Sequence, residues 1–138
     1  MSNQYEIEQI LTKLLAHETV DGLLFWGPKL LLSTDTNMYD EVFLCVEGTC
    51  TITGRDRVTT IKERDPNKLQ QLCTLSYQKI SSVQITDENN LRLHFQSGLL
   101  LEIFGDNEEF ESWQVEGRVD GKTTLIVAGP GNCLTLFD

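Results

Sequence analysis

The sequence predicts an α+β fold, an N-terminal helix packed on a mostly antiparallel sheet or partly closed barrel, and a change of pattern near residue 20 carries that prediction. Residues 4 to 16 place Ile7, Ile10, Leu11, Leu14 and Leu15 at the three- and four-residue spacing of one helical face. From Gly22 onward the chain breaks into short apolar and β-branched runs divided by turn residues, the texture of antiparallel strands. The 138 residues, 40% of them hydrophobic, suit a single domain, 1–138, with one core.

The helix is expected over Asn3 to Ala16. Asn3 followed by Glu6 resembles a capping box at its start, and Thr19, Val20, Asp21 and Gly22 are better suited to turn and strand than to further helix. Gly27-Pro28 then divides Leu23–Trp26 from Lys29–Ser33. The loop Thr34 to Asp40 leads to Glu41–Val46, and Glu47-Gly48 to Thr49–Thr53. Residues 55 to 72, with the charged stretches Arg55-Asp56-Arg57 and Lys62 to Asp65, read as a mobile surface connection carrying one helical turn at Asn67 to Leu72. Ile80, Val83 and Ile85 precede the polar turn Asp87 to Asn90, after which Leu91, Leu93 and Phe95 alternate with polar neighbours, so this is a hairpin. Leu99–Phe104 follows a Gly98 turn. Asp120-Gly121 is a type I′ signal between Trp113–Val119 and Thr123–Ala128, and Gly129 to Asn132 introduces a last strand, Cys133 to Phe137. The whole should form about seven to nine strands.

Eleven basic residues against 21 acidic ones give a net charge of −10, concentrated towards the two ends of the chain. Such a surface repels phosphate backbones, which excludes the usual nucleic-acid binders, and favours encounter with a basic protein. The same acidity also serves solubility. The longest apolar runs fall far short of the ~20 residues that a membrane span needs. The opening Met-Ser-Asn-Gln-Tyr-Glu lacks the cationic and apolar regions of a secretory signal, so a cytoplasmic location is expected. Cys45, Cys50, Cys73 and Cys133 have no metal-ligand spacing and are expected to be reduced and core-type.

Catalytic sets are missing from the pattern. His17 at a helix end and His94 within an alternating strand read as structural, and no Cys-x-x-Cys pair anchors a zinc site. Gly129-Pro130-Gly131-Asn132 lacks the lysine and helix of a phosphate loop. Asp106, Glu108, Glu109 and Glu111 lack the spacing and central glycine of an EF-hand loop, and no substrate-binding aromatic array accompanies paired carboxylates. No enzyme activity, metal or cofactor is expected. The most distinctive segment is Gly105 to Trp113, which sets an acidic turn beside Phe110 and Trp113. It reads either as a solvated loop with its aromatics pinned into the core or as a partner-binding edge made by Asp106, Glu108, Glu109, Glu111 and Trp113.

The order Leu91-x-Leu-x-Phe95, Ser97-Gly98, Leu99-x-Leu-x-Ile103, Glu111-Ser-Trp-Gln-Val115, Ile126-Val-x-Gly-Pro-Gly131 and Leu134-x-Leu-Phe137 resembles a group of small, mostly uncharacterised bacterial β-rich domains. The resemblance covers about residues 80 to 138. Some members of that group look like immunity proteins of polymorphic toxin systems, which implies a protein that neutralises a cognate toxin by occluding its basic active site. A non-catalytic accessory or assembly subunit of a larger bacterial complex is the second reading. An unrecognised enzyme and a small-ligand binder follow.

Overall fold

The computed structural model describes residues 4–25 and 27–138. Along them run α1 (Gln4–Leu15), β1 (Val20–Leu24), β2 (Lys29–Leu32), β3 (Glu41–Val46), β4 (Cys50–Thr53), β5 (Val58–Ile61), α2 (Lys68–Leu72), a 3-10 turn at Cys73–Leu75, β6 (Ile80–Ile85), β7 (Leu91–Phe95), β8 (Leu100–Ile103), β9 (Trp113–Val119), β10 (Lys122–Gly129) and β11 (Cys133–Phe137). The strands form two sheets, a six-stranded one in the order β1-β2-β3-β9-β10-β11 and a five-stranded one in the order β5-β4-β8-β7-β6. Every paired strand is antiparallel. The α+β expectation therefore holds, with two sheets in place of one sheet or a closed barrel.

Alternation in the sequence becomes alternation of burial. Val42, Leu44 and Val46 of β3, Leu91, Leu93 and Phe95 of β7, and Trp113 and Val115 of β9 all enter one core. The predicted hairpin is present as β6–β7, with Val83 opposite Leu93 and Ile85 opposite Leu91. Asp120 and Gly121 both have positive φ, as the type I′ signal required.

Helix α1 buries Ile7, Leu11, Leu14 and Leu15, while Ile10 packs half-buried at the margin. It lies on β6, where the Glu8 Oε2 accepts the Ile85 N–H at 2.9 Å and the Gln4 side chain donates to the Thr86 carbonyl. Asn3, the expected cap, lies outside the described residues, as does Trp26 at the end of the expected Leu23 strand.

Three expectations are corrected. Residues 55–72 are not simply a connection, because Val58-Thr59-Thr60-Ile61 forms β5, registered on β4 from Cys50↔Ile61 to Thr53↔Val58. β-branched residues suit a strand even between charged flanks, and an edge strand needs little burial: only Ile61 of the four is buried. The helical turn is present as α2. The described strands number eleven rather than seven to nine. The cysteines are unpaired, but only Cys50 is buried; Cys73 follows α2 and Cys133 opens the edge strand β11, and both are exposed.

The chain crosses between the sheets at two places that lie side by side. Glu47–Thr49 carries it from β3 to β4, and Phe104–Ser112 carries it back from β8 to β9. Backbone hydrogen bonds join the crossings: the N–H groups of Glu47 and Gly48 both donate to the Ser112 carbonyl, at 3.1 and 2.7 Å, and Phe104 N–H donates to the Thr49 carbonyl at 2.9 Å. Gly48 permits this approach, since a Cβ there would lie 3.3 Å from both the Phe104 carbonyl oxygen and the Ser112 backbone. A separate seam joins Glu18–Val20 to Tyr77–Ile80 through the Thr19↔Lys79 bridge.

Candidate functional site

The acidic segment is the second of the two crossings, so its position follows from the sheet order. Its base is rigidly held. Asn89, in the left-handed region at φ 63, turns the β6–β7 hairpin beneath it; its carbonyl accepts the Trp113 Nε1–H at 2.9 Å, and its side-chain amide donates to Asn132. Asn90 Oδ1 accepts the Gly105 N–H at 2.9 Å. A Cβ on Gly105 would come within 2.2 Å of the Asn89 carbonyl oxygen, so only glycine lets the segment leave β8 at this point.

Above that base, Asn107 shapes the turn. Its Oδ1 accepts the N–H groups of Glu109 and Phe110 at 2.8 and 2.9 Å, its carbonyl accepts Gly131 N–H, and its amide donates to Glu63 Oε2 at 3.0 Å. Asp106, Glu108, Glu109 and Glu111 are all exposed. Trp113 is different: it has no exposed surface and is among the largest buried side chains of the core. It therefore cannot touch a partner on this face, because its ring fills the interior and its N–H is spent on Asn89. The exposed aromatic of the segment is Phe110, at 52%.

The fold brings Glu47, Glu63 and Arg64, which the sequence did not single out as site residues, beside Phe110 and Glu111, which it did. Glu47, Glu63, Arg64, Phe110 and Glu111 line a cavity of about 270 Å³ between the crossings and the β5–α2 connection. Lys68 ties these parts together. Its buried ammonium donates to the carbonyls of Gly48, Glu47 and Glu63 at 3.2, 3.3 and 3.4 Å. Burial pulls the Lys68 pKa down, while Cys50, Glu63 and Glu47 pull it up, and the net shift is downward. At the cavity wall burial pushes the Glu47 carboxyl above the ordinary carboxylate range; Gln114, donating to Glu47 Oε1 at 3.2 Å, opposes the shift and Glu111 reinforces it. Nothing local in the sequence marks Glu47, Glu63 or Lys68, since crossings meet only in the tertiary structure.

Outside this face, His94 Nε2 lies 3.0 Å from Gln84 Oε1 on the polar side of β7. Among the described residues, no group of three His, Cys, Asp or Glu side chains could hold a metal ion. No described helix is long and apolar enough to cross a membrane.

Fold and site together define a two-sheet antiparallel β protein with an N-terminal helix, whose inter-sheet crossings carry a preorganised acidic surface. Residues 15–138 match the model of a family described as a family of unknown function (DUF6188), and the chain belongs to that family. Helix α1 falls almost entirely outside the matched span. No curated protein and no solved structure matches the chain.

Proposed function

We propose that this protein is a non-catalytic, immunity-type binding protein that occludes the basic active site of a cognate bacterial toxin, and that it works in the cytoplasm. One observation carries the reading: four exposed carboxylates on Asp106–Glu111 stand on a segment whose base and turn are fixed by Asn89, Asn90 and Asn107, with Phe110 exposed among them. A loop ordered before binding loses less entropy on association than a mobile one. Carboxylates grouped in this way steer a cationic cleft into place, and an aromatic side chain at their centre can anchor it. The net charge of −10 favours the same class of partner. Unpaired thiols, two of them exposed, suit a reducing compartment.

The test is affinity capture from the native host with two baits, the wild-type protein and the Glu108→Lys/Glu109→Lys variant. The expected result is a basic protein retained by the first and lost by the second, whose toxicity on expression is suppressed by the wild type alone. Equal retention by both baits, or a captured protein whose expression is harmless, overturns the proposal. The latter outcome favours an accessory subunit of a larger complex.

A further inference from the structure

Away from the acidic crossings, α1 and the β2–β3 loop enclose a concavity of about 360 Å³, within the range of roughly 300–1,000 Å³ typical of small-molecule sites. Its walls include Ala16, Met38 and Tyr39, with Thr36, Lys13 and His17 around them. Three independent features make this more than a surface dent.

The loop that forms one wall is fixed from within. Glu18 has no exposed surface, and its carboxylate accepts hydrogen bonds from the Ser33 hydroxyl, the Asp35 and Thr36 N–H groups and the Thr36 hydroxyl, at 2.5–2.9 Å. Asn37 Nδ2 donates to the Leu14 carbonyl at 3.1 Å, joining the loop to the end of the helix. The pocket is therefore preformed.

The Tyr39 wall of the pocket is seated against Gly117 of β9. Its missing side chain lets Tyr39 settle against the strand, where a Cβ would stand 3.0 Å from the ring. Met38, 76% exposed, is held out at the mouth, and a mobile thioether is suited to closing over an apolar guest.

The charge at the mouth is opposite in sign to the rest of the protein. Lys13 and His17 are the lining residues that can carry positive charge, and no carboxylate lines the pocket, although the chain carries 21 acidic residues. The helix C-terminus adjoining it is a poor place for an anion, but here the Leu14 carbonyl is occupied by Asn37 and the Leu15 carbonyl by the Glu18 N–H. The geometry points to a binding site for a small anionic amphiphile, a short-chain or single-ring carboxylate whose apolar body lies against Ala16, Met38 and Tyr39 and whose carboxylate meets Lys13. This site is separate from the acidic crossings and does not depend on the partner proposed for them.

The test uses octanoate and octan-1-ol as matched probes, followed by amide chemical shifts of the isotope-labelled protein. The expected result is saturable shifts centred on Thr12–His17 and Thr36–Tyr39, with octanol binding roughly tenfold more weakly for want of a charge-assisted contact. Lys13→Glu should remove that advantage while leaving octanol unaffected, and Met38→Asp should weaken both. Both positions are exposed, so folding is not at stake. Shifts that do not saturate, shifts centred elsewhere, equal affinity for the two probes, or octanoate binding indifferent to Lys13→Glu would each overturn the inference.

Discussion

The Cδ2 atom of Leu14 on α1 lies 2.4 Å from the position where a side chain on Gly117 of β9 would begin. The helix is thus seated on the six-stranded sheet at a point where only glycine fits, while its Glu8 end is bonded to the five-stranded sheet. Gly117→Ala must displace Leu14, Tyr39 or the strand, and overpacking of this kind costs ~1–3 kcal/mol. Gly22→Ala is the control, because its nearest side-chain neighbour would be at an ordinary 3.6 Å. Urea unfolding should show a clear drop in midpoint for the first variant and a smaller change for the second. Equal midpoints would mean that the helix is not seated as described.

Glu18, in the connection from α1 to β1, is the buried carboxylate that holds the β2–β3 loop. Burial raises its pKa, but the hydrogen bonds from Thr36, Ser33 and Asp35 outweigh burial and hold it below the ordinary carboxylate value of 4.5. A carboxylate whose folded pKa is depressed contributes stability that is complete above its unfolded value and is lost as pH falls through the folded one. Glu18→Ala removes the acceptor of four hydrogen bonds, the buried one from Ser33 among them, and should cost ~1–3 kcal/mol at neutral pH. The stability gap between wild type and Glu18→Gln should shrink as pH drops below 4.5. A gap that stays constant from neutral pH down to the acid transition contradicts this assignment.

Trp113 and Phe110 sit three residues apart and should behave in opposite ways. Trp113→Ala empties a large core site and removes the donor to Asn89, a loss of ~3–5 kcal/mol. Phe110→Ala should leave the melting temperature unchanged, yet weaken capture of the basic partner. A stable Trp113→Ala variant, or a Phe110→Ala variant that binds normally, would reverse the roles given to them.

What was legible in the sequence was whatever depends on neighbours in the chain. The helical face of Ile7, Leu11, Leu14 and Leu15, the β6–β7 hairpin and the strands Glu41–Val46, Trp113–Val119 and Cys133–Phe137 all follow from local period and turn chemistry. β5 was hidden because Val58–Ile61 is a short edge strand between charged flanks, and its register comes from β4 rather than from its own pattern. The acidic residues of 106–111 could be counted, but Trp113 could not be separated from Phe110, since which of the two turns inward is decided by the Asn89 turn more than twenty positions away. Glu18 gave no signal either. Its donors at Ser33, Asp35 and Thr36 are brought to it only by the pairing of β1 with β2.

Glu47 provides a test in which folding and function pull in opposite directions. Its folded pKa is raised, first by burial and then by Glu111, so its ionised form opposes folding: the stability associated with this group is present below 4.5 and is lost as pH rises through the folded value. A cationic partner docked on the crossings would relieve that cost. Glu47→Gln, which keeps an oxygen for Gln114, should therefore raise the melting temperature slightly at neutral pH while slowing association and weakening binding. Binding of the partner by the wild type should also strengthen as pH climbs from about 4.5, because association then no longer has to expel the proton. Glu108→Lys/Glu109→Lys should slow association too and make what remains less sensitive to salt, with little change in melting temperature, since both residues are exposed and screened. Stopped-flow association at several ionic strengths, paired with thermal melts of the same variants, measures both sides. If Glu47→Gln destabilises the fold, or if neither variant alters the rate or its salt dependence, the carboxylates at the crossings are a solvated surface and not a docking face.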